Sequence, residues 1–448
     1  MEWIAPPATR DPAQLRAVGK AARAQVKRTD HATVGDASPR DAIALLRATD
    51  ASRVAGLLPI RYGRMAVSPF TFYRGAAAIM AHDLAASPVS GIRVQCCGDA
   101  HLANFGGFAT PERNVVFDVN DFDETAPGAW EWDVKRLAAS IEIAGRTIGF
   151  KRAQIDDAVA GCLAGYRGRM ADFAAMSTLD VWYDRVNETA LAAAVRAAAP
   201  KTAERTATSS HLFPKTEIDA GGVPRFVDAP PHVYHDDSEF SLKLAAGAFK
   251  TYAKSLSADR RALFERFGLA DVAIKVVGVG SVGTRCLIAL FVAGKDDRLV
   301  LQIKEAMESV LEPYAGRVPY SRHGERVVVG QRLLQFASDV FLGWTHTGDG
   351  HDYYVRQLRD LKTSANVENM ELSQFSAYAE LCGRALSRAH AKGSGLAAAI
   401  AGYLGRGGAF DEAISRFATA YADVNERDYQ ALLDAIKRGD VPAESLSG

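Results

Sequence analysis

Two segments in the first third of the chain carry the residue types that phosphoryl transfer requires. In GDAHLANFG, Asp99 precedes Asn104 by five residues. In NDFDET, Asp121 and Asp123 follow the β-prone run NVVFDV. Phosphoryl transfer needs a carboxylate that orients the acceptor hydroxyl and oxygen ligands that hold Mg²⁺ against the nucleotide phosphates. Asp99 is therefore predicted as the catalytic carboxylate. Asn104 and Asp121, with Asp123 assisting, are predicted as metal ligands.

Each of these segments also has a simpler interpretation. Turns rich in Asp and Asn often do no more than cap strands, and D-x-x-x-x-N by itself is a common pattern. His101 is predicted to line the catalytic loop, although a histidine there can equally bond to backbone. Asp133, in WEWDVKRLAAS, either braces the catalytic loop by accepting backbone N–H bonds or is a first-turn aspartate favoured by the helix dipole.

A glycine-rich segment, KVVGVGSVGTR, lies between two β-prone runs, and Lys304 lies near the end of a third. Glycines let backbone N–H groups approach phosphates closely, and a lysine on the third strand can reach them. The predicted nucleotide contacts are Gly278, Gly280, Ser281, Gly283 and Lys304. A dinucleotide-binding turn would need a helix beginning at the glycines and an acidic residue about 20 positions on. A plain hairpin with glycine turns is the remaining alternative.

Two further sets of charged residues have open roles. Glu325 is predicted as the acidic partner of Lys304, with a solvated surface glutamate as the alternative. Arg61, Arg64 and Arg74 stand among aromatic residues in RYGRMAVSPFTFYRG. Arginines so placed either clamp a phosphate or carboxylate of the acceptor or form structural ion pairs.

The elements that position these residues are predicted from hydrophobic periodicity. Strands are expected at 92–96 and 114–119, a buried helix from Trp130, and an antiparallel meander at 271–277, 285–292 and 299–303. The fold class is α+β. The predicted order is a partly mobile lead-in (1–40), a helical lobe with the catalytic and metal loops (41–200), a connection (201–264), a small β lobe with the Gly-rich nucleotide loop (265–362) and helices completing the large lobe (363–448).

Composition excludes several classes of protein. The 448 residues include 53 basic and 53 acidic side chains, so there is no charge excess for nucleic acid or an anionic membrane. No uncharged apolar run reaches about 18 residues. The five cysteines form no CxxC pair, which argues against zinc and a disulfide framework. A cytoplasmic protein is expected, without nucleic-acid or membrane partners.

Taken together, GDAHLANFG, FDVNDFDET, WEWDVKRLA, KVVGVGSVGTR and LQIKEA resemble a bacterial family, domain of unknown function 2252, from about residue 40 to 435. More distantly, they are similar to aminoglycoside phosphotransferases and choline kinases. That resemblance implies a two-lobed protein-kinase-like fold, with a small antiparallel β lobe and a large helical lobe. It implies the catalytic role for Asp99 and the helix-aspartate role for Asp133.

This sequence departs from those kinases in two ways. Cys97 stands where they have histidine, and the catalytic segments precede the Gly-rich lobe. In the usual order, a helix ending like LGRALARLHA leads into the catalytic loop. Here the similar ELCGRALSRAHAKG lies at 380–393. A circular permutation of the chain accounts for this order.

The predicted function is an ATP- and Mg²⁺-dependent phosphotransferase that acts on an unidentified hydroxyl-bearing acceptor, a small molecule or a protein. One alternative is a nucleotide-binding pseudokinase without turnover. Another is AMP transfer by the same fold, because the orientation of the nucleotide decides which phosphorus is attacked. A nicotinamide-dependent oxidoreductase ranks last, since no helix begins at the glycines.

Overall fold

The computed structural model describes residues 3, 11–35, 40–185, 214–219, 221–236, 242–276, 282–294, 297–358 and 363–444. The helices are α1 (Pro12–Ala22), α2 (Ala42–Ala48), α3 (Leu58–Met65), α4 (Pro69–Gly75), α5 (Ala77–Ala85), α6 (Trp130–Ile148), α7 (Arg152–Phe173), α8 (Thr178–Tyr183), α9 (Leu242–Ser255), α10 (Ala258–Phe264), α11 (Glu312–Ala315), α12 (His323–Leu334), α13 (Leu372–Ser394), α14 (Ala397–Leu404) and α15 (Ala409–Arg438). The strands are β1 (Arg93–Cys96), β2 (Phe105–Ala109), β3 (Val115–Val119), β4 (Ala126–Ala129), β5 (Thr216–Ile218), β6 (Pro224–Phe226), β7 (Val233–Tyr234), β8 (Gly268–Lys275), β9 (Cys286–Val292), β10 (Arg298–Glu305), β11 (Gly343–His346), β12 (Asp352–Gln357) and β13 (Thr363–Ser364). The α+β class is confirmed: small sheets accompany a larger helical part.

The largest sheet has six strands in the order β11-β12-β10-β9-β8-β7. Its centre is the predicted antiparallel meander, β8-β9-β10. The run CLIALFV of β9 is apolar at every position, because both faces of the sheet are covered. Leu287, Ala289 and Phe291 pack in one cluster, while Ile288 and Leu290 pack in another on the opposite face.

The later part of the predicted connection packs on this sheet. Phe249 and Tyr252 of α9 lie in the same cluster as Phe291 of β9. Phe249 meets Phe291 edge to face, with ring centroids 4.8 Å apart. These apolar side chains recur at helical spacing and need a partner surface, which the sheet provides. The described residues from 221 to 264 are thus part of the sheet region.

The helical region buries α6, α7 and α13 in one large core. Helix α13 packs closely along α7, where Gly383 faces the backbone of Cys162. The predicted lead-in also contributes, because α1 packs on α14 with Leu15 buried. None of the described helices combines the length and the apolar character needed to cross a bilayer.

The contact between α7 and α13 requires a glycine. A Cβ added at Gly383 would overlap the carbonyl oxygen of Cys162, whereas a Cβ at Gly161 on α7 meets nothing within 4 Å. We expect Gly383→Ala to lower the free energy of unfolding by about 1–3 kcal/mol, because the helices must separate. The matched control, Gly161→Ala, should gain about 0.5–1 kcal/mol from helix propensity. Denaturant unfolding measures the stability of both variants. Equal effects would contradict the close contact between α7 and α13 at Gly383.

Candidate active site

The segment that follows β1 is held by the first turn of α6. The Asp133 carboxylate accepts the backbone N–H of Cys97 at 2.6 Å and that of Gly98 at 3.0 Å. Gly98 has a φ of 86°, and a Cβ there would overlap the backbone of Glu124. Both roles predicted for Asp133 are present: it accepts backbone N–H bonds from the segment after β1, and it lies in the first turn of α6.

A distant helix reaches the same carboxylate. His390 of α13 lies with Nε2 3.0 Å from Asp133 Oδ2, although the two residues are 257 positions apart. Nδ1 of this histidine lies 2.8 Å from the Tyr166 hydroxyl on α7. A carboxylate oxygen only accepts, so Nε2 is the donor. Asp133, His390 and Tyr166 are all buried, and together they fix the loop relative to α7 and α13.

Asp99 is oriented by an arginine one helical turn after Asp133. Arg136 donates from Nε at 2.8 Å and lies with Nη2 2.7 Å from the same Asp99 oxygen, Oδ1. Burial lowers the pKa of Arg136, but the charge and hydrogen bond of Asp99, together with Tyr73 and Tyr421, outweigh burial and raise it above its ordinary value. Among the described residues, Oδ2 of Asp99 has only long contacts of 3.5 Å, to His101 Nε2 and Asn104 Nδ2. Oδ2 is therefore the Asp99 oxygen with the weaker internal contacts.

His101 is buried beside Asp99 and lines the cleft. Burial, helped by Arg136 and Arg74, outweighs the attraction of Asp99 and lowers the pKa of His101 to about 3. The imidazole is therefore neutral at pH 7. It can shape the loop but cannot supply a positive charge there.

The segment NDFDET contacts the six-stranded sheet through a lysine. Nζ of Lys304 on β10 lies 2.6 Å from Asp123 Oδ2 and 4.0 Å from Asp121 Oδ2. Tyr354 of β12, opposite Lys304 in the register, donates to Asp123 Oδ1 at 2.6 Å. Burial disfavours the charged lysine, but Asp121 and Asp123 outweigh it and raise the pKa of Lys304.

Glu325 is not the acidic partner of Lys304, so that prediction is wrong. Among the described residues, the carboxylates within 4.0 Å of Lys304 Nζ are Asp121 and Asp123. The inward position on α12 belongs to the next residue, Arg326, because successive helix residues point in different directions. Arg326 is fully buried and donates to three backbone carbonyls, those of Asp123, Thr125 and Met307.

The glycine-rich segment can be followed only at its end. Gly278, Gly280 and Ser281 lie outside the described residues. Gly283 has a φ of 91° and accepts the N–H of Val54 at 2.7 Å. Arg53 donates to the Val282 carbonyl at 2.5 Å. The turn before α3 therefore ties the end of this segment to the helical region, a contact that nothing in the local sequence indicated.

One cleft between these segments brings the predicted site residues together. Its lining includes Asp99, His101, Asn104, Asp121 and Asp123. Lys304 is not part of this lining, but it contacts the lining residue Asp123. Glu124, which the sequence did not single out, also lines the cleft, and burial raises its pKa to about 7.

Asn104 and Asp121 offer oxygen atoms of the kinds that bind Mg²⁺. Asn104 Nδ2 donates to the Asp99 carbonyl at 2.8 Å, which leaves the amide oxygen as the possible ligand. The Asp121 side chain is 31% exposed. Within the described residues, no group of three or more His, Cys, Asp or Glu side chains could hold a metal. Mg²⁺ with a nucleotide does not need one, since it takes one or two carboxylates plus phosphate oxygens.

A family model for uncharacterised proteins conserved in bacteria, DUF2252, matches residues 53–435. The match spans most of the chain, so this protein belongs to that family. The matched range contains the segments with Asp99, Asp133 and Lys304. Neither the curated proteins nor the solved structures provide a match.

Removing the charge of Asp133 should destabilise the segment after β1 that contains Cys97 and Gly98. We expect Asp133→Asn to lower the free energy of unfolding by about 1.5–3 kcal/mol, because hydrogen bonds to a charged acceptor are lost or weakened. The control is Asp156→Asn on α7, whose carboxylate is 47% exposed and pairs with Arg152. That exposed pair is worth about 0–1 kcal/mol. Urea unfolding of both variants measures the difference; similar losses would mean that Asp133 has no special role.

A double-mutant cycle tests the pairing of Asp99 with Arg136. We expect Arg136→Met and Asp99→Asn to interact, because either change alone leaves one charge poorly compensated beside the cleft. Their combined loss of stability should differ from the sum of the single losses by about 0.5–3 kcal/mol. Chemical unfolding of the two single variants and the double variant gives this coupling. Additive losses would exclude the ion pair.

Proposed function

We propose that this protein is an ATP- and Mg²⁺-dependent phosphotransferase of the protein-kinase-like type, with the order of its lobes circularly permuted. The observation that carries the proposal is the ion pair between Lys304 and Asp123, 2.6 Å long, beside the cleft that also contains Asp99 and Asn104. A phosphate-binding lysine, two oxygen ligands and a carboxylate for the acceptor are the parts that phosphoryl transfer needs.

The position of each residue suggests its role. Lys304 and the segment ending at Gly283 would hold the nucleotide phosphates, and Asn104 and Asp121 would hold Mg²⁺, with Asp123 assisting. The metal, when bound, supplies neutralisation of charge on the transferring phosphoryl group. Oδ2 of Asp99 would accept the hydrogen bond of the acceptor hydroxyl and so align its oxygen. Catalysis here is positioning and electrostatics.

The arrangement of the sheet supports the kinase-like proposal. The Gly-rich segment lies between β8 and β9, Lys304 is on the third strand of the meander, and helix α12 follows it. Protein kinases place a phosphate-binding lysine on their third strand and pair it with a glutamate of the following helix. Here Asp123 takes the place of that glutamate as the partner of the lysine.

The position of α13 supports the permutation. This helix contains ELCGRALSRAHAKG, which in the usual order would lead into the catalytic loop. It packs beside β1, and His390 near its end contacts Asp133. A helix in contact with β1 and the segment after it is what the permutation predicts, although this helix follows the sheet in sequence.

Nucleotide binding is the first test. We expect Mg²⁺ and ATP together to raise the melting temperature of the wild type, corresponding to about 2.7 kcal/mol at a hundredfold excess over the dissociation constant. Lys304→Ala and Asp121→Asn should lose this shift, since they remove the phosphate and metal contacts. Lys243→Ala, an exposed change on α9, is the matched control and should keep it. No shift in the wild type would refute the proposal.

The products formed during slow turnover of ATP distinguish phosphoryl transfer from adenylyl transfer. Release of ADP that depends on Asp99 indicates phosphoryl transfer, to water if no acceptor is present. AMP attached to the protein or to an acceptor would indicate adenylyl transfer instead. Binding without any consumption of ATP would leave a nucleotide-binding module without turnover.

A further inference from the structure

Arginines from the segment before β1 line the same cleft as Asp99. They are Arg53, in the turn before α3, Arg61 of α3 and Arg74 of α4. Arg64 is absent from this lining. The positive charge of these arginine side chains needs compensation, either from ion pairs within the fold or from a ligand.

Arg61 is held mainly by the fold. Nη1 donates to Asp50 Oδ1 at 2.8 Å, and Nη2 lies 3.2 Å from the Thr49 hydroxyl. The side chain is 1% exposed, so the structural ion pair considered for Arg61 is present. Its Nε, however, is buried without a hydrogen-bond partner in the described structure.

Arg74 differs, because it has no partner among the described residues. Within the part of the chain that the structure describes, its guanidinium makes no hydrogen bond and no ion pair, and its Nε is buried. Burial lowers the pKa of Arg74, and the more distant charges of Glu368 and Asp99 only partly offset this. A guanidinium remains charged in proteins, so its partial burial has a cost that an anion in the cleft would offset.

In the described structure, several residues of the cleft lining carry a buried nitrogen atom without a hydrogen-bond partner. Besides Nε of Arg61 and Nε of Arg74, Nδ1 of His101 is buried with no partner in the described structure. The lining continues with Ala77 and Ala78, the first residues of α5, whose cap residue Ala76 supplies no side-chain hydrogen bond. Guanidinium groups and the N–H groups of a helix start both attract anions.

We propose that the part of the cleft lined by Arg61, Arg74 and His101 binds an anionic group of the acceptor, a phosphate or a carboxylate, and that Arg74 is its principal contact. This inference rests on the proposed phosphotransferase function, because it places the acceptor next to the Asp99 oxygen that would meet its hydroxyl. The acceptor is then a phosphorylated or carboxylated alcohol.

The charges separate this subsite from the nucleotide phosphates. The electrostatic neighbours of Arg74 are Glu368 and Asp99, whereas those of Lys304 are Asp121, Asp123 and residues of β12. Lys304 and Arg74 are therefore influenced by different carboxylates, and Asp99 belongs to those of Arg74. A phosphoryl group would be transferred between these two cationic positions.

Glycerol, glycerol 3-phosphate and glycerate test the inference on the full chain, as a neutral alcohol and two anionic ones. We expect either or both anionic alcohols, but not glycerol, to raise the melting temperature of the wild type. Arg74→Gln should weaken the anion's binding by at least about tenfold. Arg74→Lys should keep part of it. Arg416→Gln, an exposed change on α15, is the matched control and should bind as the wild type does.

Two further measurements ask whether Arg74 is structural and where the anion binds. Without ligand, Arg74→Gln should melt no lower than the wild type, because Arg74 has no partner to lose among the described residues; a marked decrease would indicate a structural role and overturn the inference. Lys304→Ala should retain the response to the anion. If Lys304→Ala loses that response while Arg74→Gln keeps it, the anion occupies the nucleotide-phosphate position and the inference is wrong.

The response to Mg²⁺ and ATP, measured on the same samples, separates the two proposals. A nucleotide shift without any anion shift overturns only the acceptor subsite. An anion shift that depends on Arg74, in a protein that does not respond to ATP, supports the anion site and refutes the phosphotransferase. Equal shifts with glycerol and with the anionic alcohols would show that charge is not recognised.

Discussion

The site depends on the Asp133 carboxylate. Three donors converge on it: the N–H groups of Cys97 and Gly98 and the ring of His390. Since the carboxylate is buried, each donor it loses would leave charge uncompensated in a medium of low polarity. This one requirement fixes the turn after β1, and with it the direction in which Asp99 leaves the backbone. It also fixes α13 beside a segment that is remote in sequence.

A second set of charges joins the sheet to the helical region. Asp123 accepts from Lys304 on β10 and from Tyr354 on β12, while its own carbonyl accepts from Arg326 on α12. The loop after β3 is therefore held from three elements of the sheet region. The cleft lining therefore combines acidic side chains with arginines, and Lys304 contacts the lining residue Asp123.

Local sequence was sufficient for the residues that follow strands. Asp99, Asn104 and Asp121 are defined by short patterns whose geometry is set by the turn itself, and the structure brings them to one cleft. Arg136 could also have been found, because it lies three residues after Asp133 and shares its helix face. The prediction that Glu325 pairs with Lys304 was wrong because the sequence shows that α12 is a helix but not which of two adjacent charged residues points inward.

What the sequence by itself determined was the α+β class, the antiparallel meander and the short motifs, since each follows from periodicity or from residues close together in the chain. Only the tertiary structure decided that His390, Tyr354 and Arg326 support the site, because these contacts join segments far apart in sequence and leave no local pattern. The same holds for the arginines: the sequence could not tell a paired guanidinium from an unpaired one. Folding gives Arg61 the carboxylate of Asp50 and gives Arg74 none among the described residues.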